Sequence, residues 1–418
     1  MPDIYTLPSG VTVIVEQIPL FQSASIGVFV NVGSCHETDA QAGISHFVEH
    51  MLFRGTMSRT SAELARAFDL IGGQFNAYTS KELTCFYAKT LDYHVLTAID
   101  LLCDMVLHPR LDDKDIALER EVVLEEIHMV EDSPDDLVVE QLFEGVWGVP
   151  GFGSPILGHA HTVAAFDRSA IAEFMAHSYT AGNVVVSIAG RFDEKAVLER
   201  LTLLLGDICQ ATPKSAAATS DYMRAVVLKH KDIEQNHLCF GFNGYALEDP
   251  RYRALIVLSS ILGDGMSSRL FQLLREQLGL VYAVSSFVTS HMGCGLLGIY
   301  SAQQKGKEEQ AVSAIVGELN LLKEKGANTE ELTHAKEMLK IGMVLTFESS
   351  NTRMGFNARE FLRYGRIRTL QSVLDETDQV TSERLMQVAE ETLDNANLSL
   401  SVVGRLNEEP YYRGVALA

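Results

Sequence analysis

Cysteine is scarce in this sequence and never paired. The six residues, Cys35, Cys85, Cys103, Cys209, Cys239 and Cys294, are scattered along 418 positions with no Cys-x-x-Cys pair. That spacing suits free thiols in a reducing compartment better than a disulfide framework or a cysteine-based zinc site. No apolar run reaches the roughly 20 residues needed to cross a bilayer. Positive charge is short as well: 34 Lys and Arg face 55 Asp and Glu, for a formal charge of −21. This balance argues against nucleic acid and against anionic membranes, and favours basic partners or substrates. The opening residues, Met1-Pro2-Asp3-Ile4-Tyr5-Thr6, lack a cationic region followed by an apolar run. No signal or transit peptide is expected, and the expected location is the cytoplasm. With 47% apolar and 21% charged residues, the chain has an ordinary globular composition and enough length for two or more cored domains.

Against this background one pentapeptide stands out, His46-Phe47-Val48-Glu49-His50. Its ionisable residues fall at i, i+3 and i+4, on one face of a helix. The flanking Met51, Leu52 and Phe53 make the segment too apolar for a surface helix. Polar groups in such a segment need partners, because burying them unpaired is costly. Two imidazoles one turn apart begin a zinc site, and a carboxylate between them can activate a water. The order H-x-x-E-H is the inverted form of the zinc-peptidase helix motif. Zinc needs a third protein ligand. The best source is Asp113 to Asp132, which reads as one long helix carrying Glu119, Glu121, Glu125 and Glu126. The residues alone do not choose among these carboxylates.

The same order of elements runs through the chain twice, at an offset of roughly 215 residues. Strand-like segments open each half, at Val11 to Glu16 and Ser23 to Val32, then at Arg224 to Lys229 and His237 to Phe242. Each half closes on an apolar strand before a glycine, at Asn183 to Ala189 and at Leu398 to Val403. Gln210 to Asp221, small and polar with one proline, reads as the linker. The expected fold is α+β, with two homologous domains over 1–212 and 222–418. Each is a largely antiparallel sheet with helices on one face. The region of the second half that matches the motif, Ile256 to Gly265, contains no histidine, so one metal site per chain is expected.

The motif together with Glu119-Arg120-Glu121-Val122-Val123-Leu124-Glu125-Glu126 resembles the pitrilysin family of zinc peptidases, which includes insulin-degrading enzyme and the mitochondrial processing peptidase. Gly33-Ser34 with Glu37, Phe53-Arg54-Gly55-Thr56 and Gly73-Gln74-Phe75-Asn76-Ala77-Tyr78-Thr79 match as well. The resemblance covers nearly the whole chain. It implies zinc held by His46, His50 and Glu126, the last being 76 residues beyond His50. It also implies Glu49 as general base and Glu119 as a carboxylate orienting an imidazole. Arg275 and Tyr282 match the family's substrate pair, Arg-x6-Tyr: the arginine would hold a substrate carbonyl and the tyrosine would stabilise the oxyanion. Asn76 and Ala77 would contact a peptide added as an extra strand, which favours extended, unfolded substrates. Asp136 and Glu140 stand where processing peptidases read a substrate arginine, though Ser133-Pro134-Asp135-Asp136 is also a plain helix start.

In that family two two-domain units close around the substrate. This chain carries both the metal residues and the Arg/Tyr pair, so the resemblance implies a homodimer with Arg275 and Tyr282 acting in trans. A silent peptide-binding subunit of a related heterodimer is the alternative, and the intact set of six residues argues against it. A purely structural metal site would not need Glu49. Zinc is favoured over manganese or cobalt by the resemblance, since affinity order alone does not decide which metal is selected.

Overall fold

The computed structural model describes residues 1–210 and 220–417; residues 211–219 of the expected linker, Gln210 to Asp221, lie outside it. The first sheet has six strands: β1 (Asp3–Thr6), β2 (Thr12–Gln17), β3 (Ser23–Val30), β4 (Gln74–Thr79), β5 (Thr84–Leu91) and β6 (Val184–Gly190). Their order is β1-β2-β6-β3-β5-β4. Only β2 and β6 run parallel; every other neighbouring pair is antiparallel. The second sheet has β7 (Val226–His230), β8 (Gln235–Asn243), β9 (Val281–Ser290), β10 (Gly295–Gln304) and β11 (Ser399–Gly404), in the order β7-β11-β8-β10-β9. Here β7 and β11 are the parallel pair. With β1 set aside, the two orders correspond strand for strand, as two copies of one α+β unit.

The central strands β3 and β6 read as near-continuous apolar runs and are buried almost throughout. Such runs are the mark of strands covered on both faces. On one face Ile26, Val28, Val186 and Ile188 pack with Phe47, Val48 and Met51 of the motif helix (Ile44–Leu52) and with Ile99 and Leu102 of helix Val95–Leu107. The opposite face, made by Ile14, Phe29, Cys85, Val185 and Ala189, is not bare. It packs with Met354 and Ala358 of helix Ser350–Tyr364. Removing an apolar side chain of this size from water stabilises by roughly 1.5–3 kcal/mol.

That helix comes from the second half of the chain. The compact units therefore interleave, where contiguous halves over 1–212 and 222–418 were expected. Among the described residues, one unit falls within Met1–Ile127, Ser154–Ala217 and Val344–Thr369, and the other within His128–Gly153, Ala218–Met343 and Leu370–Ala418. In the second unit the reciprocal helix, Pro134–Trp147, covers β7, β8 and β11. The physical reason is the same in both: each sheet has a second apolar face, and the helix that buries it lies in the other half of the sequence. Glycine makes room in each sheet. A Cβ on Gly27 would lie 2.6 Å from the Met354 sulfur, and one on Gly241 would lie 2.9 Å from a Leu142 methyl. Ser187 Oγ donates to the Met354 carbonyl at 2.8 Å, which fixes the covering helix over the first sheet. Among the described residues no helix is long and apolar enough to cross a membrane.

Candidate metal centre

The motif helix begins at Gly43, whose φ of +93° is left-handed. A Cβ there would lie 2.6 Å from the Leu157 carbonyl oxygen. Glu37 caps this start. Its Oε2 accepts from the Gly43 N–H at 2.7 Å and its Oε1 from the Ser45 N–H at 2.8 Å, a carboxylate at the positive end of a helix. Burial pushes the Glu37 carboxyl up to about 7, against the opposing hydrogen bonds from Ser45 and Gly43 and the charge of Lys81. With Phe47, Val48, Met51 and Leu52 facing the core, the 3.6-residue period turns His46, Glu49 and His50 to the other face, where each is half-buried.

Helix Asp113–Asp132 supplies the carboxylates opposite. Glu126 Oε2 lies 3.7 Å from His46 Nε2 and 3.5 Å from His50 Nε2, and the two Nε2 atoms are 3.2 Å apart. All three potential donors lie within 4.8 Å of one another. Two turns earlier on the same helix, Glu119 is buried, with Oε1 at 2.7 Å from His50 Nδ1. Arg54 pairs with the other oxygen of Glu119 through its Nε. With Glu119 accepting, Nδ1 of His50 is the protonated nitrogen, and Nε2, its lone pair free for a metal, turns toward the space between His46 Nε2 and Glu126. Burial tends to lower His50, but its hydrogen bond to Glu119 and the nearby charge of Glu126 raise it on balance. His46 has no such partner: its Nδ1 is buried without a hydrogen bond among the described residues. Burial, then the neighbouring His50, push it down to about 3, which keeps the imidazole neutral. Two neutral-capable imidazoles and one carboxylate, open on one side, fit a zinc ion with a free fourth position.

Glu49 projects beside this cluster. Burial raises its carboxyl above the ordinary range, and a hydrogen bond from Thr79 Oγ1 to Oε2, 2.6 Å, works the other way. An open cleft of about 310 Å³ adjoins it, lined by residues that include Glu49, His50, Arg54, Ser61, Asn76 and Glu119. Asn76 and Ala77 belong to β4, the edge strand, which pairs only with β5 among the described residues. Asn76 is exposed and Ala77 half-buried.

The remaining residues singled out from the sequence fall in the other compact unit. Arg275 stands on a π-helix, Phe271–Gln277, although the spacing of Leu270, Phe271, Leu274 and Leu278 is that of an α-helix. Leu278 N–H reaches back five residues to the Leu273 carbonyl at 3.0 Å, and the Arg275 guanidinium lies 4.9 Å from the centre of the Phe271 ring. Tyr282 is 74% exposed. The β9–β10 register passes from Ala283↔Ala302 to Val281↔Gln303, so Tyr282 is the unpaired residue of a β-bulge. Asp136 and Glu140 lie on helix Pro134–Trp147, where Asp136 accepts from Ser133 Oγ at 2.8 Å. The structure thus gathers His46, Glu49, His50, Asn76, Glu119 and Glu126 in one unit. The roles of Glu37, Arg54 and Thr79 were not read from the sequence, although each lies in a stretch that matches the family. Spacing along the chain carries no sign of which of these residues meet.

Residues 12–160 match the family described as Insulinase (Peptidase family M16), and residues 165–339 match the one described as Peptidase M16 inactive domain. The metal cluster lies wholly in the first of these spans. The chain is 38% identical over 404 residues to "Uncharacterized zinc protease YmxG" of Bacillus subtilis, covering 96% of this chain and 98% of that protein. It is 32% identical to an "Uncharacterized zinc protease" of Rickettsia felis, with 96% and 97% covered. Among solved structures, a peptidase M16 inactive domain from Pseudomonas fluorescens superimposes with a TM-score of 0.90 at 18% identity, covering 97% of this chain and 98% of that one. A protease from Helicobacter pylori does so at 0.88 and 21%, covering 97% and 99%. These two likenesses speak for the fold, and the sequence matches along nearly the whole chain speak for descent: the protein belongs to the insulinase family, peptidase family M16.

Proposed function

We propose that this protein is a zinc-dependent endopeptidase that hydrolyses unfolded peptides or presequence-like segments within a homodimeric chamber. The observation that carries the reading is the convergence of His46 Nε2, His50 Nε2 and a Glu126 oxygen within 4.8 Å, with Glu49 alongside. The relatives' names support zinc and proteolysis. His46, His50 and Glu126 would hold one zinc per chain, which when bound lowers the pKa of water to roughly 7 and polarises a carbonyl. Glu49 takes the proton from the attacking water on its carboxylate and passes it to the leaving amine. Glu119, fixed by Arg54, keeps His50 in the tautomer that presents Nε2. The free edge of β4 receives the peptide as an added strand, with Asn76 and Ala77 as its backbone contacts; this selects extended chains.

Arg275 and Tyr282 complete the site from the second copy, the arginine on a substrate carbonyl and the tyrosine on the oxyanion. Their positions on a π-helix and a bulge support that role, because both irregularities concentrate at functional sites. Asp136 and Glu140 would favour a basic residue near the scissile bond, in keeping with the net charge of −21. The test combines two variants. Glu49→Gln should keep one zinc per chain by metal analysis and lose turnover about 10³-fold. Tyr282→Phe should lose about 10²-fold. A one-to-one mixture allowed to exchange subunits should recover about a quarter of the wild-type rate, because half the dimers then hold one intact site. Mixed dimers that form and stay silent would exclude action in trans. A zinc-loaded wild type that cleaves nothing in a peptide library would remove the peptidase reading.

A further inference from the structure

Resting on the peptidase reading, we propose that Thr79 is the positioning residue of Glu49, and that β4 both receives the peptide and aims the base. The Thr79 hydroxyl has one proton to give. Its two oxygen neighbours are Glu49 Oε2 at 2.6 Å and Thr84 Oγ1 at 3.5 Å. Thr84 spends its own proton on the Val32 carbonyl at 3.0 Å, and 3.5 Å is too long for a strong bond between the two hydroxyls. The Thr79 proton therefore goes to Glu49, in a short bond of the kind made to an ionised acceptor. No other hydrogen bond holds Glu49 among the described residues. With Oε2 engaged, Oε1 is the oxygen left to take a proton from water.

The backbone on either side of Thr79 gives this contact its wider meaning. Thr79 lies three residues beyond Asn76 on the edge strand. Its strand is paired with β5 through Thr84 on one side and is open on the other. A peptide laid along that open edge orders the same strand that carries the hydroxyl. Thr79 reaches the motif helix through Glu49 and is not a donor to the metal cluster, so its loss should act on turnover rather than on metal retention or ground-state binding.

Thr79→Val keeps the shape and removes the proton, whereas Thr79→Ser keeps the hydroxyl. Steady-state kinetics on a zinc-loaded dimer should show kcat lower by about 10–100-fold in Thr79→Val, the usual cost of losing a hydrogen bond to a charged group. KM and zinc content should stay near wild type, and Thr79→Ser should recover most of the lost kcat. A thermal-melt cycle supplies a readout that needs no activity: the Tm loss caused by Thr79→Val should shrink by more than half in a Glu49→Ala background. A wild-type kcat in Thr79→Val, an equal loss in Thr79→Ser, or loss of zinc would each overturn the proposal. Additive Tm losses would overturn the contact itself. If the zinc-loaded wild type cleaves no peptide while the Tm coupling persists, it is the peptidase reading that falls, taking Thr79's part in turnover with it.

Discussion

The two units use one scaffold and finish the same edge in opposite ways. In the first, the motif helix faces β4 across the Glu49–Thr79 contact and an open cleft of about 310 Å³. In the second, the corresponding helix, Tyr252–Gly263, packs directly onto β9. Ser259 and Ser286 bring their hydroxyls to 3.0 Å, and a Cβ on Gly263 would lie 2.4 Å from the Ser286 nitrogen. Small residues close the gap that histidines and a glutamate keep open. The helix starts differ in the same sense. Glu37 is buried and its carboxyl is raised, whereas Asp249, which accepts from the Arg251 N–H at 2.8 Å, is held below its ordinary range by the Arg251 side chain. A reactive edge and a packed edge can therefore be built on one strand order, and side-chain size at the helix–strand seam decides which forms.

The largest effect should come from Glu37. Its folded-state pKa, about 7 against an ordinary 4.5, means the native state holds this proton more tightly than the unfolded chain. Its stabilising contribution is complete below 4.5 and is lost as pH rises through 7, a change of about 3 kcal/mol. His46, held at about 3, contributes in the opposite direction over the same range, so the effect of Glu37 is read as a difference: in zinc-free protein, the urea midpoint of the wild type relative to that of Glu37→Gln should fall between pH 5 and pH 7.5. A difference that stays constant with pH would remove the contrast with Asp249. Next in size is Gly263→Ala, expected to destabilise by about 2 kcal/mol because the seam has no space for a methyl group. Hydrogen exchange should place the loss in the second unit, leaving protection of the motif helix unaltered. The smallest is Glu119→Gln, which should weaken zinc binding about 10–100-fold in chelator competition while the fold persists. Equal zinc affinity in that variant would show that His50 needs no orienting carboxylate.

The metal site was largely legible because its first three residues share one helix turn, where spacing alone puts them together. Glu126 and Glu119 needed the family likeness, since four carboxylates on one helix are equivalent by period. The long helix Asp113–Asp132 and the apolar strands β3 and β6 followed from their patterns. What could not be read were contacts between distant positions of similar local character. Thr79 looks like any strand threonine, and Arg54 like any surface arginine. The bulge at Tyr282 depends on the partner strand's register, and the π-turns around Arg275 follow the same apolar spacing as an α-helix. The covering helices were hidden for another reason: an apolar stripe says that a helix packs, and never against which sheet.

That last feature bears on how such a chain could arise and how it could be divided. A single repeat, with one sheet and one spare helix, would leave an apolar face uncovered and a helix without a sheet. Two copies that trade helices solve both problems at once, in the manner of a domain-swapped pair. Joining them end to end makes the trade permanent, so a cut between the halves should yield two fragments that each lack what the other carries and that regain their folds only together.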